Sequence, residues 1–394
     1  MNFDNLKNHL DRIISDYHTP GVDCIVYKDH EMLFRYFAGK SDLEANLPVK
    51  GDELYLIFSM TKMLTCTCAL QLFEKGLFSM SDPVSKYLPE FEKMRVSDSQ
   101  LNTHNAAAIA SGSASGENAA VSDDGYAKNP IRIKDLFTMC AGLDYDLNAP
   151  GIKAAIREGR TSTRELVRAM SETILGFEPG TRYRYSLCHD VIGGLVEVLT
   201  GKTLGDYMDE NILKHLGMKN TFFGIPKDSE RLSKMAALYR FDENRIPQRI
   251  ELQCAYTLTD EYHSGGAGLT SCPEDYALFL DALACGGTGK SGKRILSPAT
   301  VELMGTNQLS GQPLADFNNM RPGYGYGLGV RTHINKAESG SLSPIGEFGW
   351  DGAAGSFSMV DTKNGISLTY FQHAHAWAIN AHMQLRNALY SCLD

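Results

Sequence analysis

Hydrophobic positions recur with two different periods along the chain, and both periods are present near its beginning. In residues 1–18 apolar side chains recur every three or four positions, which predicts an amphipathic helix. Residues 21–39 instead hold two runs rich in β-branched and aromatic side chains, on either side of Asp29 and His30. That pattern predicts two strands joined by a turn.

A similar combination of strands and helix is found near the other end of the chain. Residues 356–371 hold two β-rich runs around Asn364-Gly365, a dipeptide suited to a tight turn. A last helix is predicted from about His375 to Ser391. Both ends therefore supply a helix and strands, while the middle of the chain has mainly helical periodicity.

The most economical architecture is an α/β (α+β) fold with one antiparallel sheet built from both chain ends and flanked by helices. Residues 1–75 and 255–394 would form this sheet unit, and residues 76–254 a mainly helical unit inserted between them. Within the insertion, residues 102–125 are small, polar and weakly periodic, which predicts a flexible loop. It is either a surface excursion without a role or a cover over the mouth of a site.

Composition and charge exclude several classes of protein. The chain has 394 residues with a formal net charge of -9, which argues against a nucleic-acid surface. No apolar run approaches the roughly 20 residues that span a bilayer, and the first residues lack the basic and apolar regions of a signal peptide. The nine cysteines are scattered and odd in number, which is typical of reduced thiols. We therefore expect a cytoplasmic protein without a membrane or nucleic-acid partner.

The segment FSMTK, residues 58–62, places a serine three positions before a lysine at the predicted start of a helix. Residues i and i+3 share one helix face, so Ser59 and Lys62 are expected to be neighbours. The free N–H of Ser59 can stabilise an oxyanion, and the helix dipole together with burial would favour a neutral Lys62. The competing interpretation is an N-capping serine beside a solvated lysine.

Two further segments carry candidate chemistry. In residues 178–201 a Pro-Gly turn precedes a loop that contains Tyr185, and a buried helix ending at Gly201 follows. In residues 347–361 glycines crowd the start of a strand, where a ligand can approach the backbone closely. Taken alone, Tyr185 could equally be a packed aromatic residue, and the glycines could form a bulge or a tight bend.

Together these motifs, in this order, resemble the serine β-lactamase and penicillin-binding-protein superfamily, for which an S-x-x-K signature is typical. The chain is similar to class C β-lactamases and more closely to family VIII carboxylesterases. The similarity covers nearly the whole chain and includes the segments YLIFSMTKMLT, LFEKGLFSMSDPVSKYLPEF, IRIKDLFTMCAGLDY, PGTRYRYS, GGAGLTSCPEDYALF and GYGYGLGV. It implies a β-lactamase/transpeptidase-like fold.

The resemblance also implies the roles of particular residues. Ser59 would be the acylated nucleophile, and Lys62 and Tyr185 would share the role of general base. The backbone N–H groups of Ser59 and Ala353 would form the oxyanion hole. The implied reaction is two-step acyl transfer, which needs neither a metal nor an organic cofactor.

Two departures from the class C pattern concern the substrate site. Leu187 stands where those enzymes carry the asparagine of a Y-x-N loop, and the Tyr185 loop instead follows the YSxxxD pattern of the esterases. Trp350-Asp351-Gly352 stands where β-lactamases have K-T-G and the esterases usually W-G-G, so the motif cation is missing. We expect Trp350 to wall the pocket. Asp351 either disfavours anionic substrates and selects cationic or polar ones, or is a solvated carboxylate at a strand edge.

Two other segments suggest ligands but are better explained structurally. Residues 286–293 resemble a phosphate-binding loop but lack its first glycine, and they fit a turn between helices. His373 and His375 lack a third ligand, so a metal site is not expected there.

The sequence thus favours a carboxylesterase that acts on a small-molecule ester with a small or medium acyl group. A β-lactamase, a D-amino-acid peptidase or amidase, and an acyltransferase are alternatives with the same fold. A catalytically silent binding protein is the alternative from another class. The oligomeric state is left open.

Overall fold

A single eight-stranded antiparallel sheet organises the protein, and both ends of the chain contribute to it. The computed structural model describes residues 1–97, 125–375 and 380–393. The strand order is β3-β2-β1-β13-β12-β11-β10-β9, so the first strand lies beside the strand that ends at Phe371. The predicted fold class is therefore confirmed. The division into a sheet unit and a helical unit stays a prediction, and most of residues 102–125 lie outside the described part.

The strands of the described residues form one large and two small sheets. The large sheet contains β1 (Gly21–Lys28), β2 (Glu31–Asp42), β3 (Leu47–Pro48), β9 (Tyr324–Tyr326), β10 (Arg331–His333), β11 (Phe348–Gly349), β12 (Phe357–Asp361) and β13 (Ile366–Phe371). The small sheets contain β4 (Tyr55–Leu56), β5 (Phe222–Phe223) and β8 (Leu269–Ser271), and β6 (Tyr239–Phe241), β7 (Pro247–Arg249) and β14 (Ala374–His375).

Most helices lie between β3 and β9 in the chain. They are α1 (Asp4–Ser15), α2 (Thr61–Glu74), α3 (Ile133–Phe137), α4 (Pro150–Arg157), α5 (Thr163–Met170), α6 (Cys188–Thr200), α7 (Leu204–Met208), α8 (Lys214–Leu216), α9 (Ser229–Leu232), α10 (Pro273–Ala284), α11 (Pro298–Gly305), α12 (Gly311–Met320), α13 (Lys336–Ser339) and α14 (Asn380–Tyr390). Short 3-10 turns cover Phe58–Met60, Val84–Lys86 and Pro89–Phe91, and a π-helical turn covers Asp209–Leu213. No helix of the described residues combines the length and the apolar character needed to cross a bilayer.

Helices cover both faces of the large sheet. Leu6 and Leu10 of α1 pack with Leu385 and Leu389 of α14 on one face, where alternate residues of β1 and β13 are also buried. On the other face α10 packs against β1, β12 and β13. Every residue of β12 and β13 is buried, as expected for strands that are covered on both sides, whereas β2 and β3, at one edge of the sheet, are more exposed.

Helix α2 is buried around almost its whole circumference, from Thr61 to Leu72. A helix that is enclosed in this way has one fixed position in the core. It ends where the sequence predicts, because Gly76 takes a left-handed φ of 71° and closes the last turn. The residues just before Thr61 are therefore held by a helix that the core encloses almost completely.

Three local predictions differ from the structure. Ser59 lies in the 3-10 turn before α2 and not in its first α-helical turn. The last helix begins at Asn380 because His375 belongs to β14, which pairs with β6. The β12–β13 hairpin turns through residues 362–365, where Asp361 accepts hydrogen bonds from two backbone N–H groups, so Asn364-Gly365 is only its second half.

Candidate active site

Ser59 follows a residue with a strained backbone. Phe58 has a φ of 45°, a left-handed conformation that side chains other than glycine rarely adopt. Its ring packs against the rings of His375, at 4.9 Å between centroids, and Tyr256, at 6.0 Å. The packing of Phe58 and the start of α2 together fix the direction in which the Ser59 side chain points.

The Ser59 hydroxyl lies between the two predicted partners. The Tyr185 hydroxyl donates a hydrogen bond to Ser59 Oγ at 2.7 Å, and Lys62 Nζ lies 3.3 Å from the same oxygen. Tyr185 comes from the loop before α6, 126 residues away in sequence. The fold therefore brings together the three residues for which the sequence predicts catalytic roles.

Lys62 is completely buried, with 0% of its surface exposed, so the interpretation as a solvated lysine is wrong. Burial lowers the pKa of its ammonium group from 10.5 to about 7, although the nearby carboxylate of Asp190 opposes the shift. Its Nζ contacts the Gly266 carbonyl at 2.7 Å, the Tyr145 hydroxyl at 3.2 Å and Ser59 Oγ. A neutral amine has two N–H donors and one lone pair. The two N–H groups match the Gly266 carbonyl and the Tyr145 hydroxyl as acceptors, and the lone pair matches the hydroxyl of Ser59 as a donor.

Tyr185 is part of a stack of aromatic rings. Its ring lies 5.4 Å from that of Tyr145 and 5.6 Å from that of Trp350, with interplanar angles of 16° and 22°. Trp350 Nε1 donates a hydrogen bond to the Tyr185 hydroxyl at 3.3 Å. Burial raises the pKa of Tyr185 above its ordinary value, so this side chain is a neutral phenol at neutral pH.

Asp190 organises the far side of the lysine. Its buried Oδ1 accepts hydrogen bonds from the Tyr262 hydroxyl at 2.6 Å, the Ser264 hydroxyl at 2.7 Å and the Gly266 N–H at 3.3 Å. A Cβ at Gly266 would lie 2.5 Å from Asp190 Oδ2, so only glycine fits beside this carboxylate. Asp190 thereby holds Gly266, the residue whose carbonyl accepts a hydrogen bond from Lys62.

The glycine-rich segment forms the turn between β11 and β12 and lies against the backbone that leads to Ser59. A Cβ at Gly352 would lie 2.7 Å from the Ile57 carbonyl oxygen, so glycine permits this close approach. The Ala353 carbonyl accepts a hydrogen bond from His375 Nδ1 at 3.2 Å, and the Ala354 carbonyl accepts one from the Ala374 N–H at 2.9 Å. Strand β14 thus fixes the turn that carries Ala353.

Asp351 is not the solvated carboxylate that one sequence-based interpretation expects, whereas its effect on the charge of the substrate stays a prediction. Its residue is 9% exposed, and its Oδ2 forms an ion pair with Arg321 Nη2 at 2.6 Å. Although burial opposes ionisation, Arg321 and other nearby cations hold the pKa of Asp351 below its usual range. Sequence analysis missed Arg321 because it lies 30 positions before Asp351, just after α12, in a segment without a motif of its own.

The other predicted substrate residues are largely enclosed. Trp350 is 6% exposed, and its ring contacts both the Tyr185 ring and the Arg321 guanidinium, whose carbon is 5.2 Å from the ring centre. Leu187 is 4% exposed and belongs to the main core, where its backbone carbonyl starts α6. Sequence analysis also missed Tyr145 and Gly266, although both lie within segments that carry the family resemblance.

One group of described side chains has donor atoms close enough to hold a metal ion. It consists of His30, Asp281 and Cys285, whose ligand atoms lie within 4.8 Å of one another. Hydrogen bonds explain the arrangement, because the backbone N–H and the ring of His30 both contact the Asp281 carboxylate and fasten the β1–β2 turn to α10. His373 and His375 instead contact the carbonyl oxygens of Ala236 and Ala353.

Known proteins share both the sequence pattern and the fold. The model of the Beta-lactamase family matches residues 6–388. Esterase EstB of Burkholderia gladioli is 24% identical over 384 residues, which cover 91% of this chain and 87% of that protein.

Two solved structures are similar over almost the whole chain. EstCE1, described as a hydrolase with promiscuous acyltransferase activity, has a TM-score of 0.78 and 22% identity, and 98% of each chain is covered. A family VIII carboxylesterase has a TM-score of 0.72 and 20% identity, covering 99% of this chain and 97% of that one. The resemblance inferred from the motifs is thereby confirmed, and the chain belongs to the Beta-lactamase family as an enzyme of its serine-hydrolase kind.

Proposed function

We propose that this enzyme is a carboxylesterase that cleaves small or medium acyl esters through an acyl-enzyme on Ser59. The observation that carries the proposal is the position of Ser59 Oγ, 2.7 Å from the Tyr185 hydroxyl and 3.3 Å from Lys62 Nζ. These distances allow the proton of the nucleophile to leave as the new bond forms. A hydroxyl that is held between a phenol and a lysine of lowered pKa is suited to attack on a carbonyl carbon.

Lys62 is the base in the free enzyme, and Tyr185 assists. With a pKa of about 7, Lys62 is substantially neutral at neutral pH, whereas burial keeps the Tyr185 proton in place. As Ser59 Oγ bonds to the ester carbon, its proton moves to Lys62, and the carbonyl oxygen becomes an oxyanion. The backbone N–H groups of Ser59 and Ala353 are the proposed donors to that oxyanion.

The same groups complete the cycle. The C–O bond to the alcohol breaks, and the leaving oxygen takes a proton through the Tyr185 hydroxyl, which Lys62 replenishes. Water then attacks the acyl-enzyme and gives a proton to the same relay. The bond between the acyl carbon and Ser59 Oγ breaks, Oγ takes that proton back from the relay, and the carboxylic acid leaves. An alcohol in place of water would produce a new ester, so acyl transfer is the second candidate activity. The similarity to EstCE1, a hydrolase with promiscuous acyltransferase activity, favours that candidate.

Substrates that carry a carboxylate fit the site less well. A β-lactam or a D-amino-acid peptide would need a cation, but Trp350 occupies the position of the motif lysine. Arg321, whose guanidinium lies over the ring of Trp350, is already paired with Asp351. An apolar aromatic wall instead favours a neutral group. These contacts support the esterase in preference to the β-lactamase or peptidase alternatives.

The test combines turnover with the mass of the intact protein. p-Nitrophenyl butyrate should give turnover, and rapid acid quenching should trap a butyryl adduct on Ser59. Ser59→Ala should lose both signals, whereas Ser233→Ala, the same change at an exposed serine, should keep them. Turnover by a verified Ser59→Ala protein would disprove the assignment. Benzylpenicillin in the same buffer should react at least about 10²-fold more slowly in kcat/KM, and equal rates would favour a β-lactamase.

A further inference from the structure

The ion pair of Arg321 and Asp351 lies only two side chains from the nucleophile. The Arg321 guanidinium lies over the ring of Trp350, with 5.2 Å between its carbon and the ring centre. Trp350 donates a hydrogen bond to the Tyr185 hydroxyl, which contacts Ser59 Oγ. The Arg321 side chain is 25% exposed and that of Asp351 only 10%, so the arginine is the more accessible partner.

Arg321 has the chemistry of a carboxylate-binding residue. A guanidinium keeps its charge at all ordinary pH values and presents a planar set of donors that matches a carboxylate. In this protein the matching anion is supplied internally, because Asp351 Oδ2 lies 2.6 Å from Nη2. A substrate carboxylate would have to compete with Asp351 for the arginine, and it would also be repelled by the charge of Asp351.

We propose that Asp351 sets the charge selectivity of the active site by compensating Arg321, so that the wall around Trp350 accepts uncharged substrate groups. Removal of the Asp351 carboxylate converts Arg321 into a binding site for a substrate carboxylate. Removal of Arg321 takes away the cation that lies nearest to Asp351, so the carboxylate excludes such substrates more strongly. This inference rests on the proposed esterase function and defines its substrate class as esters that are neutral near Trp350.

A purely structural ion pair would behave differently. Asp351 lies at the start of the turn that carries Gly352 and Ala353, so loss of the pair could displace the oxyanion donors. Displaced donors would slow neutral and anionic substrates by the same factor, because every ester forms the same oxyanion. The ratio of kcat/KM between matched anionic and neutral substrates therefore distinguishes a role of the ion pair in charge selectivity from a purely structural role.

The experiment uses two matched substrate pairs and two opposite variants. One pair is p-nitrophenyl adipate with a free terminal carboxylate and its methyl ester. The other is 4-carboxyphenyl butyrate and its methyl ester, which places the charge on the leaving group. Asp351→Asn, Arg321→Gln and the variant with both changes are compared with the wild type. Asp209→Asn removes a surface carboxylate that pairs with the exposed Lys214, and it controls for net charge.

In at least one pair, Asp351→Asn should raise the anionic-to-neutral ratio at least about tenfold, and Arg321→Gln should lower it several-fold. The double variant should return towards the wild-type ratio, and Asp209→Asn should keep it. Loss of one partner of a buried ion pair can prevent folding. If one single variant does not fold, the other still tests the proposal, because its ratio must move in the stated direction.

Unchanged ratios in both pairs would overturn the inference while leaving the esterase assignment intact. Failure of the wild type to form an adduct on Ser59 with any of the esters would overturn the proposed function itself. A gain in Asp351→Asn that persists when Arg321 is also replaced would show that the arginine is not the binding group, and it too would refute the proposal.

Discussion

Replacing Lys62 by methionine should abolish acylation and should change stability in a manner that depends strongly on pH. Burial lowers the pKa of Lys62 from 10.5 to about 7 in the folded protein. Between those two values the unfolded chain binds more protons than the folded one. Below pH 7 the buried lysine therefore lowers the free energy of unfolding by the full amount. This loss of stability disappears as the pH rises towards 10.5.

The size of the penalty follows from the two pKa values. At 1.36 kcal/mol per unit, the penalty is roughly 4 kcal/mol at pH 7 and roughly 2 kcal/mol at pH 9. Methionine keeps most of the apolar stem and carries no charge. It also leaves the Gly266 carbonyl and the Tyr145 hydroxyl without the lysine, at a cost of about 1–3 kcal/mol that is nearly independent of pH. The advantage of Lys62→Met should therefore shrink by about 2 kcal/mol between pH 7 and pH 9.

Urea unfolding of the wild type and Lys62→Met at both pH values measures this change directly. Lys227→Met provides the control, because the Lys227 side chain is 81% exposed and its removal should have the same effect at both pH values. A difference in the free energy of unfolding between Lys62→Met and wild type that is the same at pH 7 and pH 9 would refute the argument. It would mean that Lys62 keeps an ordinary pKa and cannot be the neutral base.

Three further outcomes are expected from kinetics. Lys62→Ala and Tyr185→Phe should each slow acylation at least about 10²-fold. The double variant should lose less than the product of the two factors, because both residues share one proton relay; a loss equal to the product would show that they act independently. Asp190→Asn should shift the acidic limb of kcat/KM, near pH 7 in the wild type, to lower pH, because Asp190 raises the pKa of Lys62; an unmoved limb would contradict this. His375→Phe should lower kcat about tenfold with little change in KM by freeing the Ala353 carbonyl, and an unchanged kcat would exclude that role.

The catalytic candidates were predictable because their signals are local or follow a fixed order. Ser59 and Lys62 are three residues apart, and Tyr185 lies in a loop with clear turn and helix signals on either side. Tyr145 and Gly266 lie within segments of the family resemblance, but nothing local marks them as partners of Lys62, which they meet across 83 and 204 residues. Only the folded chain shows that the lysine contacts both of these residues in addition to Ser59 Oγ.

Asp351 shows why charge at a site is difficult to infer from a motif. In sequence it appears as an anion introduced beside Trp350, where related enzymes carry a threonine or a glycine. In the fold, the chain after α12 brings Arg321 within 2.6 Å of Asp351, so a cation that the motif does not contain compensates this charge. The last helix is a similar case, since the periodicity extends to His375 although pairing with β6 places this residue in a strand. Long-range pairing overrides the local pattern at both positions.

The pairing of β1 with β13 has a consequence for how the protein acquires activity. Asp23 lies opposite Phe371 in this pair, so the central strands of the sheet are separated by almost the whole chain. Closing so large a loop is slow, and the proteins dominated by such contacts fold slowly. During synthesis, the Ser59 turn emerges early, but the strand that supports Ala353 follows only after residue 371. A ribosome-bound chain that stops at residue 340 should therefore contain Ser59 and Lys62 but lack Ala353, the second proposed oxyanion donor. Activity should appear only when the final strands and the last helix have been released.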